Sequence, residues 1–268
     1  MGLHGIGSVY LSPMDYLLVC AVALLASGLT LFSGFGLGTL LLPAFALFFP
    51  IPTAIAMTAV VHLSNNLFKL ALVGRNAHFP TVLRFGITAV PAAWLGAQWL
   101  HQLEGLAPVF RYTIGGSEHL VTPIGLCVGS LLLAFAVLES LPAFAELSFP
   151  AKWLPLGGAL SGFFGGLSGQ QGALRSAFLM RAGLSKQGYI GTGVALACLV
   201  DLTRLPVYAG HLARVGEKAG LVVAAILFAW AGAFFGARML QKVTDAAVQR
   251  IVAALLILVG ILMGAGII

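Results

Sequence analysis

Four charged side chains stand inside otherwise apolar stretches: Lys69, Arg175, Asp201 and Arg204. An ionisable group at membrane depth is costly unless it is paired or wet, so each marks a pathway, a relay or an internal ion pair. Arg175 offers a planar fork that suits an oxyanion through charge-assisted hydrogen bonds; its plainer role is snorkelling to the interface beside Arg181. Asp201 and Arg204 are three residues apart on one helical face and are placed to pair. Asp201 is also the carboxylate best placed to carry a coupling proton. Histidine suits proton exchange near neutrality, which adds His62, although a hydrogen-bonded core histidine is the simpler reading. Asn65, Asn66 and Lys69 cover neighbouring positions of one helix and offer a polar lining, or interhelical hydrogen bonds with a snorkelling lysine. Thr58 and Thr192 can bond their own helix carbonyls or a substrate oxygen.

Two glycine-rich interruptions provide the rest of the candidate site. The first is Gly34, Gly36 and Gly38, followed by Pro43; the second is Ser168, Gly169, Gln170, Gln171 and Gly172. Glycines let backbone amides approach a ligand closely. A helix restarting after such a break presents free N–H groups and a positive dipole end, which is an anion site. Gln170 and Gln171 add amide donors and acceptors. The plain alternative is that the glycines only permit close helix packing.

The elements that must hold these groups follow from the scarcity of charge. Of 268 residues, 14 are Lys or Arg and 8 are Asp or Glu, so 8% are charged, against roughly 25% in a soluble domain. Mean hydropathy is +1.03, and no charged residue lies between Asp15 and Lys69. A spanning helix needs about 20 apolar residues. These values predict an all-α polytopic bundle and exclude a soluble globular domain. The excess of basic residues is scattered, which excludes nucleic acid as a partner. Eight hydrophobic segments are expected, at about 15–49, 52–73, 82–103, 120–140, 153–182, 187–209, 219–240 and 249–268. The first and fifth contain the glycine breaks. Unsatisfied backbone there survives only inside protein or along a wet cavity, so both are expected to be broken helices or re-entrant hairpins.

The two breaks also look like copies. Laying the second half on the first puts Gly38 on Gly172, Phe45 on Leu179 and Thr58 on Thr192; Gly96-Ala97 meets Gly236-Ala237 a little further on. The expectation is two repeats, 1–140 and 141–268, forming one transport domain. If the broken segments are hairpins, the basic links (Arg75, Arg84; Arg181, Lys186; Arg238, Lys242, Arg250) fall on one side, as the positive-inside rule asks, and the repeats are inverted. Arg214 and Lys218 on one side, and Glu139 and Glu146 on the other, run against that scheme.

The residues Gly34-Phe35-Gly36-Leu37-Gly38-Thr39-Leu40-Leu41-Leu42-Pro43 resemble the glycine-rich first motif of the TauE/SafE sulfite exporter family. Gly165 to Ser176 resembles its repeat, with Gln170-Gln171 where many members carry glycines and no proline matching Pro43. The resemblance spans about 20–265. It implies a multi-pass inner-membrane transporter that exports a small sulfur-containing anion such as sulfite or an organosulfonate. An anion channel, or a carrier for another small organic anion such as a carboxylate, is the alternative.

The expected partners are the anion, the lipid bilayer and, through Asp201 and His62, protons; a homodimer is left open. No nucleophile motif accompanies the buried charges, so no enzyme is expected. The histidines show no HxxxH or HExxH spacing and the three cysteines no CxxC, so neither a metal, a cofactor nor a disulfide is expected.

Overall fold

A computed structural model describes residues 11–29, 37–141, 147–239 and 246–268. Among these residues the chain forms eleven α-helices and one β-hairpin. In order they are α1 (Pro13–Leu29), α2 (Leu37–Ala46), α3 (Ile51–Val73), α4 (Phe79–Glu104), β1 (Phe110–Ile114), β2 (Ser117–Val121) and α5 (Pro123–Ser140). Then come α6 (Leu154–Ser168), α7 (Gly172–Leu179), α8 (Lys186–Arg204), α9 (Ala209–Glu217), α10 (Ala219–Met239) and α11 (Ala246–Gly264). Stretches in α3, α5, α8 and α10 are long and apolar enough to cross a bilayer. The expected broken segment 153–182 holds two helices, α6 and α7, and the described residues of 15–49 lie in α1 and α2 and the turn that follows.

Local chemistry sets the helix starts. Ser12 and Asp15 form a reciprocal cap on α1, with Ser12 N donating to Asp15 Oδ2 (2.7 Å) and Asp15 N to Ser12 Oγ (3.3 Å). Thr122 accepts from Gly125 N (3.1 Å) at the start of α5, where Pro123 occupies the first turn. Ser185 does the same for α8, accepting from Gly188 N (3.0 Å).

Small residues decide which helices meet. α4 runs along α6, α1 along α10, and α5 along α11. On the first seam Gly158, Gly162 and Gly166 lie against the carbonyls of Phe85, Ala89 and Ala93, and Gly96 lies against that of Phe163. On the second, Gly232 meets the Leu24 carbonyl and Gly236 meets Gly28. On the third, Gly125 meets Met263 and Gly129 meets Gly260 and Gly264. Apolar lipid gives helices no hydrophobic reason to associate, so close backbone approach matters most. We expect Gly162→Val to lower the thermal midpoint of the detergent-solubilised protein, because its Cβ would overlap the Ala89 backbone; overpacking costs about 1–3 kcal/mol. Gly210→Ala, with nothing within 4 Å of the added Cβ, is the control and does not lower the midpoint, since alanine suits a helix better than glycine.

The second break is a helical hairpin. Gly169 turns the chain at φ 85°, a left-handed conformation that glycine adopts without strain. α7 then returns along α6: Gln171 lies beside Gly165, Phe178 beside Gly157, and Ser161 Oγ donates to the Gln171 carbonyl (3.0 Å). Phe149 N donates to Ala177 O (3.1 Å), so the chain leaves α7 at the end where it approached α6. The corresponding first break, residues 30–36, lies outside the described residues, and with it Gly34 and Gly36.

α3 and α8 cross the centre antiparallel. The C-terminal end of α3 meets the N-terminal end of α8, where Gly191 packs against Val73 and Ala77. Exposed Arg75, Lys152, Arg181 and Lys186 gather at this end. The β-hairpin, α9 and the C-terminal end of α11 lie at the other, and Tyr112 OH donates to Ala265 O (2.7 Å). That hairpin lies in the link between the expected segments 82–103 and 120–140 and takes in the start of the latter. Its signal is Gly115-Gly116, whose positive φ values of 60° and 83° make the tight turn.

Candidate anion site at the helix breaks

Asp201 sits at the centre of a fully buried polar cluster on α8. Its Oδ1 accepts from Arg204 Nε (3.0 Å) and lies 2.8 Å from Arg204 Nη2. Its Oδ2 lies 2.6 Å from His62 Nδ1 on α3. Asp201 and Arg204 are both 0% exposed. Helical spacing puts Arg204 one turn below Asp201, and the crossing of α3 with α8 brings His62 to the opposite oxygen. With the Nδ1 proton donated to Asp201, His62 Nε2 faces the Asn66 amide, whose nitrogen is 3.3 Å away.

Arg204 reaches beyond Asp201 to the turn of the second break. A Cβ on Gly169 would sit 3.0 Å from Arg204 Nη1 and 3.3 Å from Nη2, so a side chain there would crowd the guanidinium as well as strain the left-handed backbone. On the other side of that turn, Gly38 in the first turn of α2 faces the Gly169 carbonyl, 3.3 Å from where its Cβ would be, with the Thr58 methyl at 3.8 Å. The start of α2 therefore meets the turn that leads into α7. The N-terminal end of α7, with its free N–H groups and positive dipole end, opens at this junction.

The polar groups at this junction are left wanting. Among the described residues, both amide atoms of Gln170, the Gln171 Nε2, the Thr58 hydroxyl and Arg204 Nη1 are buried without a hydrogen-bond partner. Buried polar atoms are nearly always satisfied, and an orphaned one costs about 1–3 kcal/mol. Apart from the Gln170 oxygen and the lone pairs of the Thr58 hydroxyl, these atoms are donors. Among the described residues, the charged side chains tied to this group are Arg204, paired with Asp201, and Arg175, which donates to Gln171. The surroundings suit an anion that accepts several hydrogen bonds.

The remaining predicted residues fall in three places. Arg175 is half-buried on α7: Nη1 donates to Gln171 Oε1 (3.0 Å) and Nε packs over Gly193 of α8. It thus orients the Gln171 amide, and its charge acts on both Lys69 and Asp201. Asn65 and Lys69 face away toward α1 and α10. Turned so that both ends are satisfied, the Asn65 amide donates to Ala229 O (3.2 Å) and accepts from Lys69 Nζ (3.2 Å) and Ser27 Oγ (3.2 Å). Thr192 lies at the basic end, where its hydroxyl accepts from His78 N (2.9 Å). Ser168 Oγ turns back to Phe164 O (3.4 Å), and Gly172 opens α7.

Tyr208 escaped the sequence reading. It follows α8 in a short 3-10 turn, and its hydroxyl donates to the Gly166 carbonyl, with Leu167 O at 3.3 Å. These carbonyls end α6 and have no helical partner of their own. A tyrosine after a proline in an apolar run carries no signal of that role.

Compared with known families, the chain matches the one described as Sulfite exporter TauE/SafE over residues 19–263. No curated protein and no solved structure matches it.

Proposed function

The chain belongs to the TauE/SafE sulfite exporter family, a family of membrane transporters, and on that premise we propose that it exports a small sulfur oxyanion or organosulfonate through the junction of its two helix breaks. The observation that carries this reading is the set of orphaned buried donors on Thr58, Gln170, Gln171 and Arg204 beside Gly38 and Gly169. Sulfite presents three oxygens with delocalised charge, enough acceptors to meet such a set. Arg204 supplies the formal positive charge, Gln170 and Gln171 select by geometry, and Arg175 positions Gln171.

The halves 1–140 and 141–268 act as inverted repeats about this site. Support comes from the pairings: α4 with α6 and α1 with α10 exchange when the halves exchange, while α3 with α8 and α5 with α11 map onto themselves. The equated glycines agree, since Gly96 sits on the α4–α6 seam and Gly236 on the α1–α10 seam. By the positive-inside rule the end bearing Arg75, Lys152, Arg181 and Lys186 faces the cytoplasm of an inner membrane. Export is then driven by protons relayed through His62 and Asp201, the pair that bridges the two central helices.

Proteoliposomes test the reading. Sulfite loaded inside should exchange faster when sulfite is present outside, and Arg175→Ala should weaken sulfite-dependent thermal stabilisation at least about tenfold in concentration, the cost of the hydrogen bond to the anion from the Gln171 amide that Arg175 orients. Flux without trans-stimulation would make the protein a channel. Indifference to sulfite with a response to carboxylates would move the substrate class.

A further inference from the structure

At the end of the bundle away from the basic links, three side chains converge that play no part in the central site. His101 and Glu104 occupy the last turn of α4, three residues apart on one face. His211 comes from α9. His211 Nε2 lies 3.0 Å from Glu104 Oε2, and His101 Nδ1 lies 3.7 Å from the same oxygen. One ligand atom from each residue falls within 4.8 Å of the others. Zinc bonds of about 2.0–2.1 Å in tetrahedral array hold neighbouring ligand atoms roughly 3.3 Å apart, so small rotamer shifts close this set on one ion.

The burial pattern fits a metal site with an entrance. His101 is 58% exposed and Glu104 33%, while His211 is only 11% exposed. An ion can enter from water, and the fourth position stays open to a water molecule. The Nδ1 of His211 has no partner, so its polar interactions within the described residues are those made by Nε2. The spacing of the chain hides the set, because the third ligand lies 107 residues from Glu104.

We propose that His101, Glu104 and His211 bind a divalent transition-metal ion of the zinc class. The ion clamps α9 to the end of α4 and so joins the two halves of the chain. It also restrains the segment that carries Tyr208, which runs directly into α9. Two imidazoles and one carboxylate favour zinc or cobalt over magnesium, which prefers oxygen ligands and retains its water.

The test uses the full chain in detergent, stripped with a chelator. Added Zn2+ should raise the thermal midpoint, Mg2+ should not, and His101→Ala and His211→Gln should each abolish the rise. Co2+ titrated in place of zinc should give an intense visible band from low-symmetry coordination. Its affinity should weaken at least about tenfold in His101→Ala, since even outer partners of a ligand are worth about 10–100-fold. His101 is exposed enough that its loss leaves the fold intact, which keeps the result interpretable if His211→Gln fails to fold. No response to Zn2+, an equal response to Mg2+, or an unchanged response in His101→Ala would each overturn the site and leave an ordinary histidine–carboxylate pairing.

Discussion

Asp201→Ala should yield far less folded protein than the parent chain, with a sharply lower thermal midpoint in detergent. The reason is what it leaves behind. Arg204 is 0% exposed, and Asp201 supplies its anionic partner at 2.8 and 3.0 Å. Removing one partner of a buried ion pair costs about 3–5 kcal/mol, because the other charge remains buried without compensation. That is a large part of a typical stability of about 5–15 kcal/mol. His62 loses its Nδ1 partner in the same change. Adding Arg204→Met to Asp201→Ala should restore much of the midpoint, since well-packed apolar side chains often replace a buried pair at little cost. A double-mutant cycle on the midpoints reads the coupling directly. An Asp201→Ala midpoint equal to the parent's would sink the account. The repaired double variant carries the functional half of the prediction: folded, but without sulfite-stimulated flux, because the guanidinium that faces the Gly169 turn is gone.

The parts of this cluster were unequally legible in the sequence. Spacing alone places Asp201 and Arg204 on one face of a helix. Nothing in the spacing joins either to His62, whose approach depends on the antiparallel crossing of α3 and α8. The glycine breaks were visible as composition, and Gly38 and Gly169 do face each other. What composition could not supply is direction: that Arg204 would lie over Gly169, or that Arg175 would turn toward Gln171. Repeat equivalence also misled in detail. Thr58 and Thr192 occupy matching positions, yet the Thr192 hydroxyl accepts from the His78 amide, while that of Thr58 has no partner among the described residues. The two environments differ because an extra helix, α9, stands between α8 and α10 where α3 and α4 are joined by a short turn. The same insertion brings His211 to Glu104, which no short-range pattern encodes.

Gln170→Leu should separate stability from function at the junction. Gln170 is 3% exposed, and neither its amide nitrogen nor its amide oxygen has a partner among the described residues. If the side chain served only the fold, it would be a poor choice: leucine fills a similar volume with no orphaned atoms. Removing the unsatisfied amide should leave stability unchanged or raise it by about 1–3 kcal/mol, read as a higher midpoint in the absence of substrate. The same change removes a donor from the anion. A hydrogen bond to a charged ligand is worth about 1.5–3 kcal/mol, so sulfite affinity should fall by about tenfold to a hundredfold. Gln170→Glu should be worse for sulfite than leucine, because a carboxylate there repels the ligand that the donors attract. The opposite pattern, a lower midpoint with flux intact, would make Gln170 a packing residue and move the anion path away from the breaks. A polar group buried at a cost to the fold is best accounted for by what it binds, and stability and flux moving in opposite directions in one variant is the behaviour that reasoning requires.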